Sequence, residues 1–128
     1  MCGQRIEKFE DLIAWQKARG LTKGIYKVTK HGDFLKDFGL REQIRRSSIS
    51  IMSNLAEGFQ RGGRSEFHQF LVYAKGSRAE LRSQLYVALD VEYIDEVTFR
   101  KLDDLARETS RLVGGLRAAV YRQKSKTE

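Results

Sequence analysis

From Gly39 to Tyr93 the chain reads GLREQIRRSSISIMSNLAEGFQRGGRSEFHQFLVYAKGSRAELRSQLYVALDVEY. Two long apolar periodicities near 3.6 residues run through it, joined by one glycine–arginine turn. Proline is absent from the whole chain, so no helix interior is forced to break. Each apolar stripe has a polar stripe beside it, which describes helices packed across a partly polar seam. The stretch holds no nucleophile pattern, no metal cluster and no phosphate loop.

The first helix is predicted over Phe9–Thr29, with Leu12, Trp15, Ala18 or Arg19, Leu21 or Thr22, Ile25 and Val28 or Thr29 on its apolar face. Glu10 and Asp11 fall in its first turn, where the helix dipole favours acids. Gly20 and Gly24, spaced i, i+4, read as a place where another helix comes close. His31 to Phe38 is predicted as a connector, with Gly32 as a stop, Asp33 as a cap, and Phe34, Leu35 and Phe38 packing over the end of the helices. A second helix spans Leu40–Phe59 with Ile44, Ser48, Ile51, Leu55 and Phe59 inward. Ser65 is the expected N-cap of a third helix reaching Leu89, whose stripe of Phe67, Phe70, Leu71, Ala74, Leu81, Leu85 and Ala88 is interrupted by Arg78. Asp95 caps a fourth helix carrying Phe99, Leu102, Leu105, Leu112, Leu116 and Ala119. The fold expected is all-α, an up-and-down antiparallel four-helix bundle. It is one domain over residues 1–128, flexible at about 1–8 and 122–128.

Charge narrows the function classes. The net charge is +7 and the pI about 9.7, a balance that attracts polyanions. Arg19, Lys23, Lys27 and Lys30 are spaced 4, 4 and 3 and share a helix face, with Lys17 nearby and no acid between Asp11 and Asp33. A solvated face normally mixes signs. A row of one sign tracks phosphates without reading bases. Arg61, Gly62, Gly63, Arg64 and Ser65 precede a helix start, a weak anion pocket that also reads as a C-cap followed by an N-cap. Arg41, Arg45 and Arg46 add a second basic region, and Arg111, Arg117, Arg122, Lys124 and Lys126 a basic end. Gln43, Ser47, Ser50, Asn54 and Glu57, with Ser77, Glu80 and Gln84, form a polar seam. It is read as hydrogen-bonded glue between helices or subunits rather than a groove, with Arg46 and Arg78 pairing Glu57 and Glu80.

Other classes lack their residues. The only histidines, His31 and His68, have no partners at metal-ligand spacing. Ser65 and His68 stand i, i+3 without an oxyanion site, and Glu57, Glu66 and Glu80 form no evident pair. An enzyme is not expected, nor a cofactor. No apolar run approaches the roughly 20 residues of a membrane span. The N-terminal residues do not read as a secretion signal, and the single cysteine, Cys2, fits a reducing cytoplasm.

FEDLIAWQKA (9–18), GLREQIRRSSISIMSNLAEG (39–58) and SEFHQFLVYAKGSRAELRSQL (65–85) resemble the four-helix bundle proteins of the 23S rRNA intervening-sequence family. Met52 stands where that family often has proline, and Ser48 where alanine is common. The resemblance implies a chain encoded within an insertion in a bacterial ribosomal RNA gene or elsewhere in a bacterial chromosome, with a largely unassigned biochemical role. It also implies similarity to the accessory variability determinant of diversity-generating retroelements, a basic pentamer that binds nucleic acid and a reverse transcriptase. The expected partners are therefore a second copy of the chain (a homopentamer), RNA or DNA, and a reverse transcriptase where such an element exists, with no membrane. The residues expected to touch nucleic acid are Arg19, Lys23, Lys27 and Lys30, then Arg41, Arg45, Arg61 and Arg64. The rival expectation is a scaffold whose basic face meets an acidic protein.

Overall fold

The computed structural model describes residues 6–127, with side chains from residue 6 through residue 119. Cys2 and the side chains of Arg122, Lys124 and Lys126 lie outside the described residues. Every regular element among the described residues is helical. A 3₁₀ turn, Phe9–Asp11, leads into α1 (Ile13–Val28), and α2 (Gly32–Lys36), α3 (Phe38–Arg61), α4 (Arg64–Asp90) and α5 (Glu96–Thr127) follow. The four long helices enclose one core. α3 packs on α4, α4 on α5, and α1 on both α3 and α5.

The core follows the apolar periodicity. Ala18, Leu21 and Ile25 of α1, Ile44, Ile51 and Leu55 of α3, and Leu71, Ala74, Leu81, Leu85 and Ala88 of α4 are wholly buried. On α5 the buried stripe is rotated from the expected one. Phe99, Leu102, Ala106, Thr109 and Val113 point inward. Leu105, Leu112 and Leu116 only flank the core, and Ala119 is exposed. Small Ala106 and Thr109 seat this helix at the centre, a choice that hydrophobicity alone does not reveal. Thr109 satisfies its hydroxyl on the Leu105 carbonyl at 2.7 Å.

Several local expectations change. The first helix does not begin at Phe9, because Leu12 adopts an extended backbone (ψ 121) between the 3₁₀ turn and α1. Phe9 then folds back edge-on to Trp15 at 5.1 Å. The connector contains a helical turn, α2, entered through Gly32 at φ 59. Asp33 lies inside α2, and Asp37 is the cap, its Oδ1 accepting from the Leu40 N–H at 3.1 Å. The other Asp37 oxygen accepts the Tyr93 hydroxyl at 2.9 Å, which ties the α4–α5 turn to the start of α3. Of the three connector apolars only Phe34 is buried, while Leu35 and Phe38 are exposed. Ser65 is not a cap. Gly62 takes the left-handed conformation (φ 81) that closes α3, and Gly63 opens α4, leaving Ser65 in its first turn. Asp95 does cap α5, accepting from the Thr98 N–H at 2.8 Å.

The polar seam is glue for part of its length. Ser50 Oγ meets Ser77 Oγ at 2.7 Å, and the Asn54 amide donates to the Ser50 carbonyl at 2.8 Å and to its hydroxyl at 3.1 Å. The expected Arg46 and Arg78 pairings are not formed. Glu57 binds Arg61 at 2.8 Å instead, the i, i+4 neighbour on its own helix. Close approach of α3 and α4 depends on Gly58, where a Cβ would lie 2.6 Å from Phe70 Cβ. That atom is fixed to the backbone and cannot swing away. Gly58→Ala is therefore expected to lower stability by about 1–2 kcal/mol, because overpacking outweighs alanine's better helix propensity. A urea-unfolding midpoint at or above wild type would contradict this.

Candidate nucleic-acid interface

Helical spacing puts Arg19, Lys23 and Lys27 on one outer band of α1, away from buried Ala18, Leu21 and Ile25, and Lys30 follows in the turn just past the Thr29 C-cap. All four are exposed. Arg19 lies 5.7 Å from the Trp15 ring centroid. None of the four has an ion-pair partner among the described residues. Lys17, by contrast, reaches Glu108 of α5 at 3.7 Å and is neutralised there.

The band borders a groove between α1 and α5. Gly24 brings the two helices together, since a Cβ there would lie 2.7 Å from Leu102 Cδ2. Beside this contact an open groove of about 420 Å³ is lined by Lys27, His31 and Lys101 around apolar Val28, Leu102 and Leu105. Lys101 extends the basic band onto a second helix. Sequence spacing did not find it, because its pairing with Lys27 exists only once α1 and α5 are in register. Acids are not wholly absent nearby: Asp104 is exposed on α5, and Asp95 lies within the field of Lys101. The Asp95 carboxyl is held below its ordinary range first by its bonds to Thr98 and only weakly by Lys101.

The other four expected residues are engaged within the chain. Arg41 donates to the Leu35 carbonyl at 2.7 Å and lies against Glu42 and the Phe38 ring, so it closes the end of α2. Arg45 donates from Nε to the Thr29 hydroxyl at 2.8 Å and from Nη2 to the Thr29 carbonyl at 3.4 Å, over the Tyr26 ring. It is the C-terminal cap of α1, supplied by α3. Arg61 pairs with Glu57 at 2.8 Å and Glu66 at 3.7 Å, and the Glu57 bond pulls its pKa up. The anion pocket expected at the glycine turn thus already faces the chain's own carboxylates. Arg64 is exposed and engaged within the chain.

A second basic cluster lies in the α4–α5 seam. Buried Asp103 accepts Arg82 Nε at 2.7 Å and Arg107 Nε at 2.8 Å, one on each oxygen. Arg78 stands one helical turn before Arg82. Its pKa is lowered first by burial and then by the charge of Arg82. The sequence held a trace of this group in the arginine that interrupts the α4 stripe.

Of the residues considered for catalysis, Glu57, Ser65, Glu66 and His68 lie at the α3–α4 turn and Glu80 lies farther along α4. Ser65 and Glu80 are exposed, His68 is half-buried and engaged, and Glu57 and Glu66 belong to Arg61. Among the described residues no group of three or more His, Cys, Asp or Glu is placed to hold a metal. No described helix is long and apolar enough to cross a membrane.

No curated protein matches the chain. A crystal structure of a protein of unknown function from the S23 ribosomal protein family of Bacteroides thetaiotaomicron VPI-5482 has the same fold. It aligns with a TM-score of 0.75 at 24% identity, over 82% of this chain and 98% of that one. The family profile of the 23S rRNA-intervening sequence protein matches residues 10–115, through α1, α3, α4 and most of α5, and the chain belongs to that family.

Proposed function

We propose that this protein is a non-enzymatic, homo-oligomeric, up-and-down antiparallel four-helix bundle that binds RNA or DNA in the cytoplasm through phosphate contacts. The observation that carries this reading is the α1 band. Arg19, Lys23, Lys27 and Lys30 are exposed and lack ion-pair partners among the described residues, whereas Lys17 and Arg61 beyond it are paired. Unpaired like charges along α1 and the turn that follows it repel one another, and a polyanion relieves that repulsion while releasing counterions. Lys101 widens the band across the groove. The short α3–α4 and α4–α5 turns and the sequential helix contacts support the antiparallel order. Exposed Ile49, Val72, Tyr73, Val87 and Val97 supply apolar area for contact between copies, with a pentamer as the expected assembly. An accessory role beside a nucleic-acid enzyme such as a reverse transcriptase fits a protein that tracks phosphates.

The test is fluorescence anisotropy of nuclease-treated protein with labelled structured RNA, single-stranded RNA and duplex DNA across a salt series. Binding at about micromolar Kd or tighter, falling steeply with salt, is expected. Absence of binding even at low salt overturns the proposal and directs attention to an acidic protein partner for the same face.

A further inference from the structure

We propose that Arg78, Arg82 and Arg107, gathered around the Asp103 carboxylate in the α4–α5 seam, form a binding site for a phosphate oxyanion. The site rests on its own geometry and not on the α1 band. Asp103 is 5% exposed, and its two oxygens are taken by Arg82 and Arg107. Three of its roughly four acceptor positions are thus filled, two by Arg82 and one by Arg107. Arg78 makes no hydrogen bond to any described residue, and its Nε is buried without a partner. A buried donor without a partner, held beside two like charges, is met by an acceptor that can reach it. Three arginines surround Asp103, with Asp104 acting more weakly on Arg107, so positive charge is in excess at the cluster.

The chemistry of this cluster suits an oxyanion with several acceptors. Planar arginine forks match phosphate oxygens in pairs, and Asp103 holds two of the forks in fixed orientation before any ligand arrives. Access is open, since the Arg82 and Arg107 side chains are 24% and 61% exposed. The lowered pKa of Arg78, caused by burial and then by Arg82, agrees with a cation awaiting a counter-charge. Free phosphate and the phosphodiester of a nucleic-acid backbone present the same group, so the experiment must separate them.

The full chain is melted in chloride buffer of constant ionic strength while inorganic phosphate is titrated to about 20 mM. The wild-type midpoint is expected to rise by about 3 °C and to saturate. Arg78→Gln, which removes an unpaired charge, is expected to match wild type in chloride. With phosphate it should show only the shallow, unsaturating rise of a salting-out anion. Arg78→Lys keeps the charge without the fork and is expected to retain part of the response, which provides a second reading should the glutamine variant fold poorly. Equal rises in wild type and both variants, or none in wild type, overturn the site and leave an ion-pair knot. In the second arm, anisotropy with single-stranded RNA reads the source. A salt slope smaller by about 1 in Arg78→Gln assigns the site to a backbone phosphate, and an unchanged slope assigns it to free phosphate.

Discussion

Replacing Arg19, Lys23, Lys27 and Lys30 together by glutamine is expected to weaken nucleic-acid binding about 100-fold near 0.1 M salt and to flatten its salt dependence. The slope of log affinity against log salt should shrink by about 3 on single strands and by nearly 4 on duplex DNA, if each residue neutralises about one phosphate. The effect is separable from folding. All four side chains are exposed, and glutamine is a comparable helix former, so α1 keeps its length and its buried face. The substitution gives up the stacking of Arg19 over Trp15, worth about 0.5 kcal/mol at an exposed site. Arg45 would make a poor control, because its removal opens the α1 cap at Thr29 and confounds affinity with stability. The measurement is anisotropy on wild type and variant over one salt series. Unchanged affinity with an unchanged slope would make the α1 band ordinary solvated surface and remove the main support for the proposed function.

The α1 band was legible in the sequence because its spacing is local. Residues four apart share a face of any helix, whatever that helix packs against, as Arg19, Lys23 and Lys27 do, while Lys30 falls one residue past the Thr29 C-cap. The same holds for the buried stripes of α3 and α4, where Ile44, Ile51, Leu55, Leu71, Leu81 and Leu85 all sit in the core. What failed was whatever depends on a partner helix. The inward face of α5 is set by Ala106 and Thr109, small residues that gain their meaning only against α1 and α4. Arg41 and Arg45 read as surface charge, yet each caps the end of a neighbouring helix. Arg61 read as a phosphate ligand, and its guanidinium already meets Glu57 at 2.8 Å and Glu66 at 3.7 Å. The Arg82–Asp103 bond joins residues 21 positions apart, a separation that no helical period marks.

That bond underlies the largest stability effect expected. Asp103→Asn should cost about 2–3 kcal/mol at neutral pH, by removing the buried carboxylate that binds Arg82 and Arg107 and acts on Arg78. The figure sits below that of a fully buried pair because Arg107 is 61% exposed and solvent screens its share. The pH dependence identifies the cause. Burial pushes the Asp103 carboxyl upward, but the bonds from Arg82 and Arg107 outweigh it and hold the group below its ordinary range. A carboxyl depressed in the folded state stabilises fully above its unfolded pKa of about 3.9 and loses that contribution as pH falls through its lower folded value. Asparagine does not titrate there. The gap between wild type and Asp103→Asn is therefore expected to be constant from about pH 5 upward and to close below about pH 4, while every other carboxylate cancels between the two proteins. Urea midpoints across that range supply the comparison. A gap that persists unchanged into acid would mean that the amide disturbs packing and that the charge of Asp103 contributes nothing, which would also remove the fixed frame on which the Arg78 oxyanion site depends.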